Sequence, residues 1–102
     1  MPKAKSISAA NLSKLTEAAV KAVTKDVPGK FIGKGPTMGY LLREALQTSQ
    51  QLELATRITD GVAANARAAG ISGLRPQPVV VIRPDKIIAG YIAPELGITI
   101  RG

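Results

Sequence analysis

Between Pro36 and Gly70, Met38, Leu41, Leu42, Ala45, Leu46, Leu52, Ala55, Ile58, Val62 and Ala66 recur mainly at three- and four-residue steps. That is the spacing of one helix face, and it predicts a helix over about 37–69. Pro36 suits a first turn, Thr37 can cap a helix starting one residue later, and Gly70 followed by Ile71 reads as a left-handed C-cap with its apolar contact. Glu53 and Arg57 sit four apart in the favourable order. Unbroken, this helix would run roughly 50 Å at ~1.5 Å per residue. A compact chain of this size has a radius of gyration of about 13 Å, so the helix would overhang its own domain. Either it breaks near Thr59-Asp60-Gly61, or a second subunit covers the overhang. Leu54 and Ile58 fall off the stripe that carries Leu41, Ala45 and Leu52. Two apolar faces predict a homodimer contact through Leu41, Leu52, Leu54, Ile58 and Val62.

Ahead of this stretch, Leu12, Leu15, Ala19, Val20, Val23 and Val27 predict a first helix over about 9–26, capped by Ser8 or Asn11. Past Gly70 the texture changes. Pro76 and Pro78 each push the preceding residue out of helix, and Val79 to Ile82 is a β-branched run apolar on both faces. Arg83-Pro84-Asp85-Lys86 has the composition of a tight turn. Strands are predicted at about 79–83, 87–92 and 98–101. The expected fold is α+β: two or three helices, the long one either continuous or broken near Gly61, followed by a small antiparallel β-meander. The expected organisation is one domain over 8–102 behind a basic, disordered arm at 1–7. No internal repeat is visible. A strand apolar on both faces needs helices on one side and something else on the other, which again points to a subunit partner.

The fragment Val81-Ile82-Arg83-Pro84-Asp85, with Ala89, resembles the closing hairpin of the thioredoxin-like C-terminal domain of flavin-dependent aromatic hydroxylases. The likeness spans residues 81–90 and departs from that family at Lys86 and Gly90, where a glycine and an aromatic residue are usual. It implies a hairpin and nothing about activity.

Composition narrows the chemistry. The 102 residues include no cysteine and no histidine, and only Phe31, Tyr40 and Tyr91 are aromatic. The commonest general base and metal ligand is missing, and the carboxylates Glu17, Asp26, Glu44, Glu53, Asp60, Asp85 and Glu95 are scattered singly. No catalytic residue, metal or cofactor is expected, and the chain reads as a binding module rather than an enzyme. No apolar run approaches the ~18 residues of a membrane span, so a soluble, cytoplasmic protein is expected.

The net charge of +7 is concentrated in the first third, where seven Lys face two acids. Lys3, Lys5, Lys14, Lys21 and Lys25 are candidate contacts to a polyanion such as a nucleic-acid backbone. Without Arg or aromatic residues among them, they suit phosphate contact and neither base readout nor stacking. The other candidate is the junction Lys30, Gly33, Lys34, Gly35 and Thr37. Glycines free the backbone there, and a helix N-terminus expected just after it would favour a small anion. The glycine spacing, the Gly at position 35 and the lack of a preceding strand exclude a nucleotide-triphosphate loop.

Overall fold

The computed structural model describes residues 9–33, 38–44, 46–71 and 74–93. Helix α1 (Ala9–Val23) leads into strands β1 (Gly29–Ile32) and β2 (Gly39–Leu42). Helix α2 (Thr48–Ala68) then leads into β3 (Gln77–Arg83) and β4 (Lys86–Ile92). Among the described residues this is an α+β fold, two helices against a four-stranded antiparallel sheet of order β1-β2-β4-β3. The order is not the simple meander expected: the β3–β4 hairpin is as predicted, but β4 rather than β3 lies beside β2. Helix followed by antiparallel strand pair occurs twice, and the two units meet where β2 pairs with β4.

The predicted helix over 37–69 divides. Residues 39–42 are β2, and α2 begins nine residues after Gly39, at Thr48. The run Gly39-Tyr40-Leu41-Leu42 is short and apolar, the case in which periodicity alone does not separate strand from helix. Glycine inside it and an aromatic beside it favour the strand. Tyr40 is then fixed from two sides. Its hydroxyl donates to the Val27 carbonyl at 2.6 Å, and its ring lies where a Cβ on Gly29 would stand.

Two ends of α2 show different determinants. At the start the Gln47 N–H donates to Gln50 Oε1 at 3.1 Å, satisfying one of the donors a helix leaves open. At the end Gly70 takes a φ of 78°, its N–H donates to Arg67 O, and the Ile71 N–H donates to Ala66 O. These are the paired bonds of a Schellman motif, as the sequence predicts. Between them the helix is continuous through Gly61. At about 31 Å it no longer overhangs a body whose radius of gyration is 13.0 Å, so its length does not call for a second subunit.

Helix α1 ends at Val23 rather than 26. Thr24 turns its hydroxyl back onto Val20 O, and Pro28 demands an extended residue before it. Both helices lie on one face of the sheet, α2 across β3 and β4 and α1 beside α2. Leu12, Ala19 and Val20 of α1 meet Leu54, Ala55, Ile58 and Val62 of α2 over Tyr40, Leu42, Ala89 and Tyr91. Burying each large aliphatic contributes about 1.5–3 kcal/mol. Asn65 Nδ2 donates to Leu15 O at 3.0 Å and clamps the helices together. The expected arm at 1–7 and the expected strand at 98–101 lie outside the described residues. Among the described residues no helix is long and apolar enough to cross a membrane.

Candidate nucleic-acid interface

Strand register decides which side chains face away from the helices. Phe31, Tyr40, Ala89 and Val80 stand side by side across the four strands, and all pack into the helix-side core. Side chains alternate along a strand, so the neighbouring row Lys30-Leu41-Ile88-Val81 faces the other way. The row Ile32-Gly39-Gly90-Val79 does the same. Just past the end of β2, the Arg43 N–H donates to Pro28 O at 3.1 Å, and Arg43 lines the same depression as Lys86. Lys86 in turn stands opposite Arg83. A row of cations, the pair Lys86–Arg83 with Arg43 at the end of β2 beside it, therefore gathers at one end of the sheet on the face that is helix-free among the described residues, with Lys30 in the next such row.

Like charges directly opposite each other in a sheet are destabilising. Glu44 and Asp85 line the same shallow depression of ≈ 190 Å³ as the three cations. Among the described residues, neither makes an ion pair with them. Both acids, like Arg43, sit in the connections, so the strand positions of this face hold three cations, Lys30, Arg83 and Lys86, and no carboxylate. Arg43, Arg83 and Lys30 are exposed and Lys86 half-buried. In the middle of the same face Ile88, Gly39 and Gly90 are buried, so the accessible part is its basic end. All three aromatic residues point to the helix side, leaving no stacking platform among the cations.

The predicted site residues scatter. Lys14, Lys21 and Lys25 are exposed in and just after α1, on the opposite side of the molecule from the cation row. They share the helical layer with Glu17, Asp26, Glu53 and Asp60, which nearly balance its charge. Lys3, Lys5, Lys34, Gly35 and Thr37 lie outside the described residues. The predicted anion junction loses its helix: the described residues that resume after Gly33 run directly into β2. Gly33 is accounted for by packing. Its carbonyl accepts from Ser13 Oγ at 3.2 Å, and a Cβ there would collide with that oxygen and with the Phe31 ring. Lys30 stays exposed beside it on β1.

Of the residues expected to self-associate, Leu54, Ile58 and Val62 are buried in this chain's own core. Leu41 is half-buried on the helix-free sheet face. Leu52 alone remains substantially exposed, at 54 %. The stripe that looked like a second apolar face is the one against the sheet, because the helix starts eleven residues later than the pattern implies.

Arg43, Arg83 and Lys86 were not legible as a group. In sequence they are a helix residue and two ends of a turn. Only the pairing of β2 with β4 makes them neighbours. Among the described residues Tyr91 is the one titratable group clearly perturbed: burial pushes it up to about 12. Among the described residues no three His, Cys, Asp or Glu cluster as metal ligands would. No protein-family model, curated protein or solved structure matches this chain.

Proposed function

We propose that this protein is a small binding module that grips the phosphate backbone of duplex nucleic acid without reading its sequence, through the basic end of the helix-free sheet face. The observation that carries this is the cross-strand pair Arg83–Lys86 with Arg43 lining the same depression, three cations that make no ion pair among the described residues. Such a row is self-repelling in the free protein and is relieved by an anion laid across it. Two guanidinium groups in the row suit phosphate, since each presents donors in a fork that matches two oxygens. The absence of aromatic side chains from this face argues against base stacking and therefore against single strands. The lysines before α1 in sequence, Lys3 and Lys5, add positive charge that steers a polyanion. The binding role, rather than catalysis, rests on the lack of Cys and His and on the scattered carboxylates.

The test is anisotropy of a labelled random duplex across a salt series. Log affinity should fall linearly with log salt, and Arg43→Gln/Lys86→Gln/Arg83→Gln should reduce the slope by roughly 2.7, about 0.9 per phosphate contact. Lys14→Gln/Lys21→Gln/Lys25→Gln removes the same charge from the opposite side and should leave the slope nearly unchanged. No binding at low salt, or equal loss in both triple variants, would defeat this reading.

A further inference from the structure

The two edges of the sheet are unlike. β1 is four residues long and carries Gly29 and Lys30, the kind of short, charged edge that resists pairing. β3 is seven residues long, contains Val79-Val80-Val81-Ile82, and is paired only on its β4 side among the described residues. Ile82 is 59 % exposed, and with Leu52 it is one of two large apolar residues left so among those described. Ile82 stands in the row of Ile87 and Leu42, the end of the sheet from which the chain enters α2 and reaches Leu52.

Backbone geometry says what this edge accepts. Arg83 and Lys86 flank a two-residue turn and face each other, so they exchange both backbone hydrogen bonds. Alternation along the ladder then turns the N–H and C=O of Arg83, Val81, Val79 and Gln77 toward β4, and those of Ile82, Val80 and Pro78 outward. Pro78 has no N–H to offer, so the outward donors of the strand are Val80 and Ile82.

We propose that β3 pairs antiparallel with β3 of a second copy, centred on Val81, joining the two sheets into one of eight strands. Outward-directed residues must face each other in such a pair, which leaves few registers. Centring on Val81 sets Val80 opposite the partner's Ile82, so every outward N–H on both strands finds a carbonyl. It also sets Pro78 opposite the partner's Pro84, two residues with no donor, so the prolines close both ends of the paired segment. Centring on Val80 places Pro78 opposite the partner's Ile82, and centring on Ile82 places Pro84 opposite the partner's Val80. Each of those loses hydrogen bonds. The Val81 register also keeps the like charges apart, with Arg83 opposite the partner's Val79. It covers Ile82 with the partner's Val80 on the helix side. Both cation rows then lie on one face, offset by four residues or about 13 Å along the strand. This pairing stands whether or not nucleic acid binds.

The chain has no cysteine, which allows a direct test of partner and register together. Only Val81 faces its own copy across the dyad, as a non-hydrogen-bonded pair with Cα atoms about 4.5 Å apart, within disulfide range. Val81→Cys should oxidise to a covalent dimer in high yield, and Val79→Cys, about 13 Å from its own copy, should not. Light scattering should give twice the chain mass for the wild type. Ile82→Pro removes only an outward N–H, and Ile82→Lys places a charge in the joint. Both should give the single-chain mass with an unchanged circular dichroism spectrum. A wild type monomeric at millimolar concentration, equal cross-linking of both cysteine variants, or a dimer that survives both Ile82 substitutions would overturn the proposal. If Ile82→Pro fails to fold, Ile82→Lys, at an already exposed position, still decides it.

Discussion

The hydroxyls of Thr16 and Tyr91 lie 2.7 Å apart, joining α1 to β4 across 75 residues of sequence. Thr16 also donates to Leu12 O at 2.8 Å, so its proton is committed to the helix. The Tyr91 phenol is then the donor to Thr16. Both side chains are fully buried, which raises the cost of a phenolate there and lifts Tyr91 to about 12.

A pH dependence follows from that lift. Unfolded, the phenol titrates near 10; folded, it holds its proton to about 12. Between these values the unfolded chain binds fewer protons, so stability is complete below about pH 10 and falls as pH rises toward 12, by at most about 3 kcal/mol. Tyr91→Phe cannot show this loss. At pH 8 the variant should be less stable by about 1 kcal/mol for the missing hydrogen bond, and the gap should close or reverse by pH 12. Lysine titration affects both proteins alike, so the difference between their urea midpoints isolates Tyr91. A gap constant with pH would contradict the assignment.

At Gly61, packing opposes helix propensity. Alanine in a helix interior is normally better than glycine by about 1 kcal/mol. A Cβ at Gly61, however, would stand 2.9 Å from the Cβ of Ala19 on α1, and neither atom sits at the end of a flexible side chain. The helices must separate to admit it. Gly61→Ala should therefore lower thermal stability by about 1–3 kcal/mol, the usual cost of overpacking, with helix content retained. Pairing it with Ala19→Gly should restore most of the loss.

Gly70 is the contrasting case, with space but the wrong backbone. A Cβ there would meet nothing within 4 Å, yet φ is +78°. Gly70→Ala should cost about 1–2 kcal/mol from the left-handed conformation alone. No substitution in the surrounding residues should rescue it, since no neighbour is in the way.

These two glycines also show what the sequence could convey. Gly70, Ile71 and the turn Pro84-Asp85 act locally, and their roles are readable because a few adjacent residues determine the conformation. That turn keeps negative φ at both positions, so proline fits where the primed turns commoner in hairpins would exclude it. Gly61 reads as a helix breaker until α1 is placed against it, because its reason is a contact with Ala19. The same holds for Gly39-Tyr40-Leu41-Leu42. Its strand state is fixed by pairing with β1 and β4, while its apolar spacing continues smoothly into that of α2. The cation row depends on three strands at once, so it is the feature furthest from anything a linear pattern conveys.

That row links stability to binding. If Arg43, Lys86 and Arg83 repel one another in the free protein, removing the central charge should help the fold. Lys86→Gln should raise stability at low salt by roughly 0.2–1 kcal/mol, the range for cross-strand pairs. The gain should vanish at 1 M salt, where charges are screened beyond about 3 Å. The same variant should bind duplex more weakly and with a shallower salt slope, since it gives up one phosphate contact. A stabilising substitution that costs binding is what a charge placed for a ligand produces. Should Lys86→Gln instead destabilise the protein at low salt, the lysine is held by its own surroundings, and the row has no need of an external anion.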